Sequence, residues 1–229
     1  MPPQKVEPGR SALGRVVWFA VISIIATIAG WALDFGVFSS SFFTGALYNL
    51  PQNATGSQVS AAMGPMFQDT AALVPVIAAI QLTGVAVLAT GFRQLIKVDP
   101  ARFSLPSNLM VVLIAGAAIA AIGAVALLNS LPNAISQAPL SNGHGYLGLA
   151  PAFANLLLYA VVIAIGGLLA LVGAIGGMIL GLWRVGSLYD ETMVKMGAIF
   201  LIIPLLNILA PILILLGASS ARGRLVGVH

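Results

Sequence analysis

Five stretches of about 20 residues carry no charged side chain in their interiors, and nothing else restricts the possible folds of this chain so severely. The hydrocarbon core of a bilayer is about 30 Å thick, which a helix crosses in about 20 residues. The apolar runs cover residues 16–33, 71–91, 109–128, 155–183 and 197–217. Trp18 and Trp31 stand near the two ends of the first, where interfacial anchors belong. The fourth, about 29 residues long, would measure about 43 Å as a helix and must tilt or project beyond the hydrocarbon. Composition agrees: 59% of the 229 residues are apolar and 7% are charged, against about a quarter charged on an ordinary soluble domain. The expected fold is an all-α membrane bundle of about five helices. Residues 1–15 form an N-terminal segment, 16–217 a single membrane domain and 218–229 a short tail. Eighteen apolar residues exceed the core of a cleaved secretory signal, so the first run is expected to remain as a helix.

Lys5, Arg10 and Arg15 precede the first run. Arg93, Lys97 and Arg102 follow the second, and Arg184 and Lys195 follow the fourth. The intervening segments, about 35–70 and 129–153, hold no Lys or Arg. By the positive-inside rule this alternation places the N-terminus in the cytoplasm of a multi-pass cell-membrane protein. Five spans would then carry Arg222 and Arg224 to the outside, which is the one conflict in the scheme. Either the tail follows a topology fixed by the earlier helices, or the fifth segment re-enters. Pro204 and Pro211 flank Asn207 in that segment, and each proline removes a backbone donor. A full span kinked or broken at Pro204/Pro211 is the expectation. Asp99-Pro100 reads as a stop for the second helical segment and Ser107 as the N-cap of the third.

Gly166, Ala170, Gly173, Gly177 and Gly181 recur at steps of four, three, four and four, which lines one helical face with small residues. Such a face lets another backbone approach closely, either within the chain or across a homodimer seam. Gly116, Ala120, Gly123 and Ala124 form a second small-residue face. Intramembrane polar residues are the usual markers of substrate pathways. Here they are neutral: Gln81 in the second run and Asn207 in the fifth, either hydrogen-bonding across helices or lining a polar path. Asn53-Ala54-Thr55 is a glycosylation sequon, and His144 sits in a glycine-rich, solvated loop. With no cysteine, and with His144 and His229 both outside the apolar runs, no haem, iron–sulfur cluster or other cofactor and no metal site is expected. No nucleotide-binding, serine-hydrolase or metalloprotease motif is present. The sparse basic residues suit topology rather than nucleic acid.

Two stretches carry a family resemblance. One is Gly91-Phe92-Arg93-Gln94-Leu95-Ile96-Lys97-Val98-Asp99-Pro100-Ala101-Arg102-Phe103 with Pro106. The other runs through Gly181-Leu182-Trp183-Arg184-Val185-Gly186, Tyr189-Asp190 and Val194-Lys195-Met196-Gly197-Ala198-Ile199-Phe200, ending in Ile202-Ile203-Pro204-Leu205-Leu206-Asn207-Ile208-Leu209-Ala210-Pro211. Both resemble a domain-of-unknown-function family of uncharacterised archaeal multi-pass membrane proteins, over about residues 70–217. The resemblance implies an archaeal cell membrane and carries no functional residues. The expected function is a non-catalytic structural or accessory subunit of a membrane assembly, with lipid and other membrane subunits, or further copies of itself, as partners. The alternative is a small oligomeric channel or transporter for an uncharged or weakly polar solute.

Overall fold

The computed structural model describes residues 3–43, 50, 51, 54–137, 150–203, 206 and 208–226. The described residues are mostly helical and contain no strand. The order is α1 (Pro3–Phe43), α2 (Gly56–Ile96), α3 (Pro100–Ser136), α4 (Ala150–Gly173), a π-helical turn (Ala174–Ile179), α5 (Leu180–Leu188), α6 (Thr192–Phe200) and α7 (Leu209–Val226). Four described stretches are long and apolar enough to cross a membrane: Val6–Ala32, Gly56–Ile96, Pro100–Ser136 and Ala154–Leu188.

The helices overrun the apolar segments because hydropathy marks the thickness of hydrocarbon and capping marks the end of a helix. Thr55 and Gln58 form a capping box at the start of α2: the Thr55 N–H donates to Gln58 Oε1 at 2.9 Å and the Gln58 N–H donates to Thr55 Oγ1 at 3.4 Å. At the start of α3 the Arg102 N–H donates to Asp99 Oδ1 at 3.2 Å. Asp99 is thus the cap and Pro100 the first helical residue, a position where its missing donor costs nothing. Ser107, expected as the cap, instead lies inside α3 and is buried. Helix α5 ends in a Schellman-type closure, with the Glu191 N–H donating to the Gly186 carbonyl at 2.8 Å and Asp190 in the left-handed region at φ 51°.

The fifth span is not confirmed as one kinked helix: over residues 197–217, α6 stops at Phe200 and α7 begins at Leu209. The two pack antiparallel. A side-chain carbon on Gly197 would meet Ile214 Cγ1 at 2.6 Å, and one on Gly217 would meet Val194 Cγ2 at 2.8 Å. Between them the chain turns through short-range bonds, including Ile203 N–H to the Phe200 carbonyl at 3.2 Å and Leu206 N–H to the Ile203 carbonyl at 2.9 Å. The Ile202, Ile203, Leu206 and Leu209 donors are thus satisfied by carbonyls three residues back. Pro204 and Asn207 lie outside the described residues, as do the sequon residue Asn53, His144 and His229.

The chain divides into two compact units. The first comprises Met1–Ile28, Ala79–Ala117 and Leu168–His229. Its core joins Leu13, Val16, Leu88, Phe92, Leu95, Phe103, Met110, Leu182, Val185, Val194 and Ile214, all fully buried. The second comprises Ala29–Ala78 and Ala118–Gly167. In it the Ser60 hydroxyl donates to the Pro132 carbonyl at 2.7 Å, and a side-chain carbon on Gly123 would stand 2.9 Å from Ile163 Cγ1.

Candidate functional site

Three features of the structure carry chemistry: a glycine seam, a basic end and an outward-facing amide. In the first unit the seam is built on the end of α4, the π turn and α5. A side-chain carbon on Gly173 would lie under 3.0 Å from the Leu113 amide nitrogen and Cα. On Gly177 it would meet the Met110 nitrogen at 2.9 Å and the Leu109 carbonyl carbon at 3.0 Å, and on Gly181 it would strike the Phe92 ring. Backbone therefore lies directly on backbone where the stripe meets α3. Ala170 packs at the edge of the same core. Gly166, in the second unit, is buried. Gly176 joins the seam: a side-chain carbon on it would meet Leu109 Cδ1 at 2.5 Å. It is off the sequence stripe, and the π turn accounts for this. The Leu180 N–H reaches the Ile175 carbonyl, five residues back, which widens the turn and brings an adjacent residue onto the contact face.

The basic end gathers helix termini of the first unit. The Cβ of Arg15 on α1 lies 3.3 Å from a side-chain position on Gly91 of α2, and the Arg222 guanidinium on α7 lies 3.8 Å from one on Gly14. The Arg184 guanidinium donates to the Arg102 carbonyl, tying α5 to α3. The Arg102 side chain pairs with Asp99 at 3.1 Å. Arg224 pairs with the buried Glu191 carboxylate and donates to the Tyr189 carbonyl at 2.9 Å. The Tyr189 hydroxyl is pressed against Gly9 and has no hydrogen-bond partner among the described residues. Burial pushes its phenol up to about 12 from the ordinary 10.0. All ten Lys and Arg of the chain belong to this first unit, with Glu7, Asp99, Asp190 and Glu191; the second unit holds only Asp34 and Asp69.

The hydroxyls of Thr27, Thr70, Thr83 and Thr90 donate to carbonyls three or four residues back in their own helices. Gln81 does not. It lies exposed on α2, in the middle of an apolar run, with no hydrogen-bond partner among the described residues. The structure does not bring Gln81 together with Asn207, which is outside the described residues. Pro211 is buried in the first turn of α7. Among the described residues no group of three or more His, Asp or Glu is placed to hold a metal ion.

A family model described as "Protein of unknown function (DUF973)" matches residues 11–225. No curated protein and no solved structure matches the chain.

Proposed function

The chain belongs to the DUF973 family of proteins of unknown function, and from that premise we propose that it is a non-catalytic integral membrane protein acting as a structural or accessory subunit of a membrane assembly. Gln81 carries the reading. An amide turned outward in the middle of an apolar helix loses its hydrogen bonds to lipid unless another chain supplies them. An interhelical bond of this kind contributes about 0.6–2 kcal/mol. The glycine faces are already filled, Gly173, Gly177 and Gly181 by α3 and α2 and Gly123 by α4, so contacts with other subunits fall on the outward faces. There Leu157, Leu158, Val161 and Ile165 of the second unit and Leu168, Leu171, Val172 and Ile175 of the first are exposed.

The membrane is a cell membrane, archaeal by the resemblance of the 91–103 and 181–211 stretches. Four helices span it with the N-terminus in the cytoplasm, and the α6–α7 hairpin re-enters from the same side. This arrangement removes the conflict over Arg222 and Arg224, because every cation then lies on one side. The second reading, a small oligomeric channel or transporter for an uncharged or weakly polar solute, draws on the same amide: facing other copies, Gln81 would line a path between them. The test is the native mass of the assembly in mild detergent, with its components identified by mass spectrometry, for wild type and Gln81→Leu. Foreign subunits that are lost from the variant support the accessory role. A self-contained oligomer turns the choice to the channel, and a monomer unaffected by the substitution refutes both.

A further inference from the structure

Among the described residues two cations of the basic end are ion-paired, and two of the others, Arg10 and Arg222, belong to the line where α7 meets α1. Arg102 and Arg224 are ion-paired with Asp99 and Glu191. Arg10, Arg15 and Arg222 have no ion pair among the described residues. Arg10, Gly14 and Trp18 follow at steps of four along α1 and so share one face of the helix. The Arg222 guanidinium of α7 rests over the middle of that stripe, at Gly14, where the missing side chain gives it room. Arg15 turns off this face, its stem against a side-chain position on Gly91 of α2. Trp18 closes the apolar side of the stripe and is 62% exposed. The stripe thus passes from guanidinium groups to an exposed indole within two helical turns, the order in which a bilayer passes from phosphate to glycerol and acyl chain.

We propose that the α1–α7 corner formed by Arg10, Arg222 and Trp18 binds the phosphate headgroup of an anionic phospholipid. Guanidinium groups match phosphate oxygens in a bidentate fork, and a phosphate held by Arg222 at Gly14 stands one helical turn from Arg10 on the same face of α1. The indole packs along the glycerol and the first methylenes, which selects a lipid over a free anion. Basic pockets between helices at the cytoplasmic surface have this character. The inference rests on the membrane location proposed above and not on the accessory role.

The test is lipid retention by the full chain purified in mild detergent. Phosphatidylglycerol or phosphatidylcholine is titrated in, and bound lipid is counted by native mass spectrometry. Tight retention of phosphatidylglycerol alone is expected. The double variant Arg10→Gln with Arg222→Gln should weaken it about 30-fold, from roughly a fivefold loss per cation. The charge-matched variant Lys97→Gln with Arg102→Gln should leave it within about twofold. Equal loss in both variants would mean a diffuse surface potential and overturn the site, as would equal retention of phosphatidylcholine. Complete displacement by inorganic phosphate would make it a small-anion site and overturn the lipid assignment. A protein that stays soluble without detergent would defeat the membrane reading instead. Hydrogen exchange of the wild type over residues 10–18 and 218–224 needs no variant: slowing in phosphatidylglycerol micelles is expected, and unchanged exchange refutes the proposal.

Discussion

Replacing Gly173 by alanine isolates the contact that closes the seam. The added carbon would lie under 3.0 Å from the backbone nitrogen and Cα of Leu113. A backbone cannot rotate away as a side chain can, so α3 must retreat by about 1 Å to reach van der Waals separation. A gap of that size forfeits a quarter to a half of the dispersion well for each contact it opens, and Leu113, Met110 and Leu109 all lie along the same line. Overpacking of this kind costs about 1–3 kcal/mol, and the upper end applies because the obstacle is backbone. Alanine recovers about 1 kcal/mol of helix propensity. The net loss is about 2 kcal/mol, which lowers the midpoint of thermal unfolding by about 6 °C in a chain of this size. Gly167→Ala is the control: nothing lies within 4 Å of its added carbon, so the propensity gain of up to about 1 kcal/mol stands alone. The assay is survival of the monodisperse peak in size-exclusion chromatography after heating in detergent. Gly173→Ala as stable as wild type, or Gly167→Ala as damaging as Gly173→Ala, would refute the reasoning.

Gly181→Ala meets the Phe92 ring rather than backbone, so it should cost only about 1 kcal/mol, and Phe92→Leu should recover part of that loss; strictly additive effects in a double-mutant cycle would show that the two do not touch. Burial raises the Tyr189 phenol to about 12, so the folded state favours the neutral form. Its contribution is intact below pH 10, where the unfolded phenol is also neutral, and is lost as pH rises from 10 towards 12. The midpoint of unfolding should therefore fall over that range in wild type and fall less in Tyr189→Phe, and parallel curves would contradict the burial of this hydroxyl.

The helical, apolar character of the described residues is legible in the sequence because a helix long enough to cross hydrocarbon needs an uncharged run of about 20 residues. The small-residue stripe at Gly173, Gly177 and Gly181 is legible for a similar reason: close helix approach excludes side chains at a fixed period. Four things are less accessible. The start of α3 is marked by Asp99-Pro100, which serves as both stop and start, and hydropathy favoured Ser107 because the first turns of α3 are polar. Thr55 and Gln58 form a capping box whose spacing is visible, but it precedes a polar turn rather than an apolar run. The fifth segment, long and apolar enough to span, returns on itself because Gly197 and Gly217 allow α6 and α7 to touch; that pairing is a tertiary contact with no local signature. The two prolines and the basic tail were the available signals, and the tail was the better one. Gly176 enters the seam through the π turn, which no sequence period anticipates.

The central claim is that α6 and α7 form a hairpin, which returns the C-terminus to the side of the N-terminus. The chain has no cysteine, so single cysteines can be read without background. Pro3→Cys, Val226→Cys and Ser57→Cys, probed in intact cells with an impermeant thiol reagent, report the two termini and the start of α2. The account predicts that positions 3 and 226 stay unlabelled until the cells are opened, while position 57 labels at once. Labelling of 226 from outside with 3 protected would restore a fifth span and contradict the account.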